Sequence, residues 1–322
     1  MSTPRKFAIA AAVAALLVTA APPVQAAESA PAGDSAANSS SIAIIGDVPY
    51  GVEQEATVGE LVDAINSDPR VRLALHVGDI KSGSTTCTDE RFAAALATFE
   101  SFKDPVVYTP GDNEWTDCHR VNNGGYNPLE RLAALRETFF AEPGSLLGGR
   151  PATVEYQPAL VENVRWVQSQ VAFATLHVIG SNNGLNPWTG IGNTAPTVDQ
   201  TAEVDARIEA AISWIDETFD AAEQRGLRGV VLAMQADTWD PLPTSAQQAI
   251  VDGIAQRTAA FDGEVLLLQG DSHTYVADNP LALDNFTRIV VHGETLPFEY
   301  LRLTVDPVRD ELFSWERVAV TG

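Results

Sequence analysis

The sequence predicts an α/β fold with a largely parallel sheet and helices packed outside it. Two observations predict it. Short β-branched runs alternate with helical periodicity from Ile42 to Gln269, the order that builds parallel strands joined by crossover helices. From Thr287 onward the pattern is strand, turn, strand, turn, strand with no helix, which adds antiparallel strands at the end.

Residues 42–45 form the first strand. Val58, Leu61, Val62 and Ile65 recur at helical spacing, and Asp68-Pro69 stops that helix, because proline disfavours helical backbone in the residue before it. Residues 73–77 are the second strand, Phe92, Leu96 and Phe99 mark the second helix, and residues 106–109 are the third strand. Pro128 opens a helix carrying Leu132, Leu135 and Phe139, since a first-turn residue needs no N–H. Strands follow at 164–167 and 171–179, and the Asn- and Gly-rich stretch 180–196 is loop. Val204, Ile208, Ile212, Ile215, Phe219 and Ala222 line one face of a long helix that Gly226 ends. Residues 230–234 are a strand, Ser245-Ala246-Gln247-Gln248 reads as a capping box ahead of Ile250 and Ile254, and residues 265–269 are a strand.

The 322-residue chain carries 20 Lys+Arg against 43 Asp+Glu, a formal charge of −23. That balance argues against a nucleic-acid coat function or attachment to an anionic membrane surface, both of which need clustered basic side chains. After residue 26 the only lysines are Lys81 and Lys103. Arg5 and Lys6, an apolar run over 7–21 and small residues around Ala26 have the order of a secretory signal peptide. That run is short for a transmembrane helix, and no later segment is apolar enough to span a bilayer. The expected organisation is a cleaved signal peptide at 1–26, a flexible leader at 27–41 and one folded domain at 42–322, in a secreted or periplasmic protein. Export would join the two cysteines, Cys87 and Cys118, in an intramolecular disulfide; the alternative is two buried thiols.

One feature recurs along the chain. Strands end in Gly46-Asp47, Gly78-Asp79, Gly111-Asp112 and Gly270-Asp271, and a fifth ends in Gln235-Ala236-Asp237. In an open α/β sheet the carboxyl ends of the strands form the ligand crevice. Carboxylates gathered there repel one another unless protonated or neutralised by a cation. With lysine nearly absent, bound metal ions are the natural neutralising charge.

The ordered set GD, GD, GDNE and GDSH resembles the calcineurin-like metallophosphoesterase superfamily, over about residues 42 to 292. The resemblance implies a β-sandwich core flanked by helices, an αββα layering, and a two-metal site that hydrolyses phosphomonoesters or phosphodiesters. It makes Asp47, Asp79, Asp112, Gln235, Asp271 and His273 metal ligands, with Asp79 bridging two ions. Asn113 stands where the family places the histidine near the leaving group; His119 is the substitute for that imidazole and Arg120 the phosphate clamp. Glu114 is a supporting residue, Lys81 is within reach of a phosphate, and Trp115 either stacks on a substrate ring or packs. His76, His177 and His292 are read as packing residues, and Asn182 and Asn183 as turn formers. The disulfide would staple two metal-bearing loops.

Three family histidines are replaced here by Asn113, Gln235 and Asp271, and Val48-Pro49 stands where a fourth would follow Asp47. Oxygen ligands favour Mg²⁺, Mn²⁺ or Ca²⁺ over Zn²⁺, with Fe possible and with one or two ions held. The expected function is an exported phosphoesterase acting on a small phosphorylated substrate through a metal-activated hydroxide. The alternative is a non-catalytic divalent-metal-dependent binding module on the same fold.

Overall fold

The computed structural model describes residues 39–321. The elements run β1 (Ser40–Ile45), α1 (Gly51–Ser67), β2 (Val71–His76), α2 (Asp89–Glu100), β3 (Val106–Tyr108), α3 (Pro128–Phe139), β4 (Glu155–Gln157), β5 (Leu160–Gln168), β6 (Val171–Thr175), α4 (Gly180–Asn183), α5 (Val198–Gln224), β7 (Gly229–Ala233), α6 (Gln248–Ala260), β8 (Glu264–Gln269), β9 (Val276–Asp278), β10 (Phe286–Val290), β11 (Glu299–Val305) and β12 (Phe313–Ala319). The expected signal peptide, and the expected leader as far as residue 38, lie outside the described residues. Ser40 and Ser41, the last of that leader, are buried in β1.

Two sheets face each other. One has the order β12-β11-β1-β2-β3 and the other β4-β5-β6-β7-β8-β10-β9. Parallel pairing runs through β1, β2 and the edge strand β3 in the first sheet, and through β6, β7, β8 and β10 in the second. Antiparallel strands close the other edges, among them the helix-free β11 and β12. Alternation along each strand divides its side chains between two layers. Ile42, Ile44, Leu73, Leu75, Val231, Leu266 and Leu268 meet in the core between the sheets. Ala43, Ile45 and Ala74 face α1, α2 and α3, while Ala172, Leu232 and Leu267 face α5 and α6. Strands buried on both faces carry near-continuous apolar runs, which is why the sequence showed them as unbroken. The result is the αββα layering.

Several boundaries differ from expectation. β6 stops at Thr175, because the Asn163 side chain takes the His177 N–H (2.7 Å) in place of a neighbouring strand. The capping box at Ser245 does not form. Gln247 turns its side chain back onto the Thr244 N–H (3.1 Å), one residue earlier, and α6 begins at Gln248. The short edge strands β4 and β9 escaped the pattern, being three residues each. Within the expected loop 180–196, α4 is a tight turn with left-handed backbone at Ser181 and Asn182.

Candidate metal centre

The carboxyl ends of the parallel strands in both sheets meet in one place. Asp47 follows β1, Asp79 follows β2, Asp112 lies beyond β3, Gln235 follows β7 and Asp271 follows β8. Asp47, Asp79 and Asp271 have left-handed backbone (φ 53°, 61° and 74°), which ends each strand abruptly. Short polar side chains such as Asp tolerate that conformation better than β-branched ones.

Asp79, Asp112 and Asp271 each offer a carboxylate oxygen, and these oxygens lie within 4.8 Å of one another. Gly180, at the start of α4, closes the fourth side. A Cβ there would sit 2.7 Å from Asp112 Oδ2 and 2.9 Å from both Asp271 oxygens. Gly111 is equally confined, since its Cβ would lie 2.0 Å from Asp79 Oδ1. Backbone thus approaches the carboxylates where side chains cannot.

The electrostatics follow from this crowding. Burial, then the neighbouring carboxylates, hold the carboxyls of Asp79 and Asp271 well above the usual range, and that of Asp47 likewise. Asp117 is raised to about 7, by burial first and Asp112 second. A divalent cation would relieve both the desolvation and the repulsion. The donors are carboxylate oxygens, a set that fits a divalent metal ion.

Asp47 belongs to a different arrangement. It is fully buried, and both its oxygens accept the Asp271 N–H (3.0 and 3.2 Å). Its Oδ1 lies 3.7 Å from His273 Nε2, while His273 Nδ1 pairs with Glu294 (3.0 Å). Asn113 is in the site: its Nδ2 donates to Asp79 Oδ2 (2.7 Å) and to the Tyr50 hydroxyl (2.8 Å), and its N–H reaches Asp79 Oδ1 (3.2 Å). Tyr50 donates to the same Asp79 Oδ2 (2.8 Å) and meets His273 edge-on. Sequence reasoning missed Tyr50 and Gly180. The signal for Tyr50 was its place three residues after Asp47, where the expected imidazole is absent.

The geometry moves Gln235 and His119 from their expected roles and leaves Arg120 free to keep its own. Gln235 does not present its carbonyl to the carboxylates: Oε1 accepts the Gly180 N–H (2.7 Å) and Nε2 donates to Asp112 Oδ1 (3.4 Å). His119 is turned to the 189–191 turn, where its Nδ1 takes the Gly190 N–H (3.2 Å), and among the described residues it makes no hydrogen bond to the acidic group. Arg120 pairs with Asp117 (2.6 Å) and keeps a partly exposed guanidinium.

Lys81 is fully buried and donates to the Ser82 carbonyl (3.1 Å), so it is not a surface arm reaching for phosphate. Burial pushes its ammonium down against the upward pull of Glu114 and Asp79. Glu114 Oε1 accepts from Ile80 N–H and Tyr108 O–H (both 3.0 Å), tying the Asp79 and Asp112 loops together. Trp115 packs, fully buried, and donates to His177 Nε2 (3.1 Å). His177 Nδ1 pairs in turn with the buried Glu162 (2.8 Å). His76 Nδ1 takes the Gly78 N–H (3.2 Å) and its other nitrogen meets the Val48 carbonyl (3.0 Å); burial holds this imidazole down at about 4. His292 pairs with Arg317 and Glu299. Asn182 and Asn183 turn the chain with left-handed backbone, and their side chains also hold the distant Ala246 backbone. Cys87 and Cys118 form the expected disulfide, linking the loop after Asp79 to the turn after Asp112.

Comparison with solved structures gives three likenesses, of which the first agrees with this fold. A crystal structure of a dimetal phosphatase from Danio rerio superposes with a TM-score of 0.50 at 12% identity, covering 88% of this chain and 99% of that one. An anchor protein of the Plasmodium inner membrane complex gives 0.48 at 9% identity, covering 88% and 90%. A 5′-nucleotidase from Candida albicans gives 0.44 at 10% identity, covering 87% and 51%. A search of curated proteins finds no match. The calcineurin-like phosphoesterase family model matches residues 40–207, which contain Asp47, Asp79 and Asp112. The chain belongs to the calcineurin-like phosphoesterase family.

Proposed function

We propose that this protein is an exported phosphoesterase that hydrolyses a small phosphorylated substrate with the help of a divalent cation held by Asp79, Asp112 and Asp271. Membership in the family supports a metal-dependent phosphoester hydrolase. The observation that carries the reading in this chain is the convergence of those three carboxylates beside Gly180. A bound divalent ion there would lower the pKa of a coordinated water and draw charge from the phosphoryl oxygens.

The chain's own residues then take these parts. Gln235 orients Asp112 through its amide and steadies Gly180. Asn113 and Tyr50 fix the plane of Asp79. Arg120, partly exposed beside the site, is the group for a phosphate oxygen, with Asp117 holding its position. Asn113 has no proton to give at neutral pH and His119 faces Gly190, so His273 is the imidazole placed toward the acidic group. It is about a third exposed, and Glu294 holds its Nδ1, which leaves Nε2 to protonate a leaving oxygen. Export is supported by the order of charge and apolarity in residues 1–26 and by the disulfide.

The test is hydrolysis of chromogenic phosphomonoester and phosphodiester substrates by purified protein, with Mn²⁺, Mg²⁺ or Ca²⁺ and with chelator. Hydrolysis that chelator abolishes and metal restores is expected. No turnover with any of these ions or Zn²⁺, while the melting temperature still responds to metal, would replace the enzyme with a metal-dependent binding module.

A further inference from the structure

We propose that this chain holds a single divalent cation, on Asp79 Oδ1, Asp112 and Asp271, and that a hydrogen-bonded cap made by Tyr50, Asn113 and the Asp271 amide fills the place of a second. The inference rests on the metal-dependent reading above and narrows it.

The two halves of the acidic centre are treated differently by their surroundings. On the Asp47 side the oxygens already have donors. Asp79 Oδ2 receives the Tyr50 hydroxyl (2.8 Å) and the Asn113 amide (2.7 Å), and those two donors also bond each other (2.8 Å). A carboxylate oxygen has about two lone-pair sites, so this one is saturated and has none left for a bridging ion. Asp47 spreads both oxygens around one backbone N–H, that of Asp271. Pro49, which carries no ligand atom, stands in the first block where the resemblance calls for an imidazole. His273 Nδ1 is engaged by Glu294 and its ring packs against Tyr50.

On the other side donors are few: the Gln235 side chain and the Asp237 backbone serve the Asp271 carboxyl. Asp112 Oδ2 accepts no hydrogen bond among the described residues, and Asp112 Oδ1 has only the long contact from Gln235 (3.4 Å). Asp79 Oδ1 has one long contact, from the Asn113 N–H (3.2 Å). One carboxylate oxygen each of Asp79, Asp112 and Asp271 lies within 4.8 Å of the other two. Asp112 Oδ2, with no donor among the described residues, is where a cation supplies the missing positive charge; Asp79 Oδ2, with two donors, has no lone pair left for one.

The test uses the full folded chain, stripped with chelator and titrated with Mn²⁺. Equilibrium dialysis with elemental analysis is expected to give one Mn²⁺ per chain at saturation. Electron paramagnetic resonance of that sample should show the six-line spectrum of an isolated ion. Two Mn²⁺ per chain with an exchange-coupled spectrum would overturn the inference and leave the proposed function standing; no binding at all would overturn both. Asp47→Asn should keep the single Mn²⁺ within about fivefold of the parent affinity, whereas Asp112→Asn should weaken it by at least about a hundredfold. Equal losses in the two variants would refute the assignment. The stoichiometry of the unaltered chain decides the matter even if a variant fails to fold.

Discussion

Asp47 takes the backbone N–H of Asp271 on both carboxylate oxygens, at 3.0 and 3.2 Å, across a sequence separation of 224 residues. One residue ends a strand of the first sheet and the other ends a strand of the second. The acidic centre therefore sits on the seam of the sandwich, and its own hydrogen bonds help hold the two sheets in register there. A buried hydrogen bond between the two sheets fixes their relative geometry at this point. It also means that Asp47 contributes by shaping the Asp271 turn.

Asp79 lies between the capped and the open halves of the centre. Asp79→Asn removes a buried charge that its neighbours oppose, so the metal-free melting temperature should not fall by more than a few degrees. Turnover should drop by at least about a hundredfold, with the metal-induced rise in melting temperature lost. Rate assays and thermal scans with and without Mn²⁺ check this. Near-normal rates would remove Asp79 from the site.

Gly180 is the residue a sequence reader would pass over. In Gly180→Ala, the new methyl would sit 2.7 Å from Asp112 Oδ2 and 2.9 Å from the Asp271 oxygens. Overpacking of this kind costs about 1–3 kcal/mol, which corresponds here to about a tenfold or greater loss of Mn²⁺ affinity. Calorimetric titration reads it directly. An unchanged dissociation constant would show that the carboxylates are not held in the observed arrangement.

The two imidazoles near the centre separate cleanly. His119→Gln should leave turnover within about threefold, because His119 meets Gly190 and not the acidic group. His273→Gln should lower it about a hundredfold, the usual lower range for a positioned acid. The opposite ranking would restore His119 as the proton donor.

The disulfide spans 31 residues and joins the loops that carry Asp79 and Asp112. The double variant Cys87→Ala/Cys118→Ala should lose about 3 kcal/mol of stability in denaturant titration. Metal affinity should fall as well, since one end of the staple lies six residues beyond Asp112. A loss in stability alone would confine the bridge to a structural role.

Acid stability has a source away from the centre. Burial raises the Asp68 carboxyl, but hydrogen bonds from the Arg70 amide, Tyr300, the Arg70 side chain and Arg302 outweigh it and hold it at about 2. A carboxyl lowered on folding stabilises the folded state above its ordinary pKa, and that contribution disappears as pH falls from about 4 to about 2. Asp68→Asn should therefore cost about 1–2 kcal/mol at pH 7, allowing for solvent screening near the surface, and almost nothing at pH 2. Urea titrations at both pH values check the sign. A cost that grew toward low pH would contradict the pairing.

The alternation of strands and helices was legible in the sequence because strands buried on two faces are apolar throughout and the helices between them are apolar on one. The strand-end Gly-Asp pairs were legible because a strand that stops at a crevice needs a residue tolerant of left-handed backbone, and Asp is tolerant. So the sequence by itself determined the fold class, the acidic character of the centre and the cysteines available to staple it. Only the tertiary structure decided which oxygens are open and which are capped. Gln235 became a donor to Asp112, Tyr50 closed over Asp79, Asp47 turned to a backbone amide, and His119 faced away. Each of those outcomes depends on the direction of a side chain relative to a segment tens or hundreds of residues distant. Hydrogen-bond partners are set by such directions within a few tenths of an ångström, and no local pattern of residue types contains them.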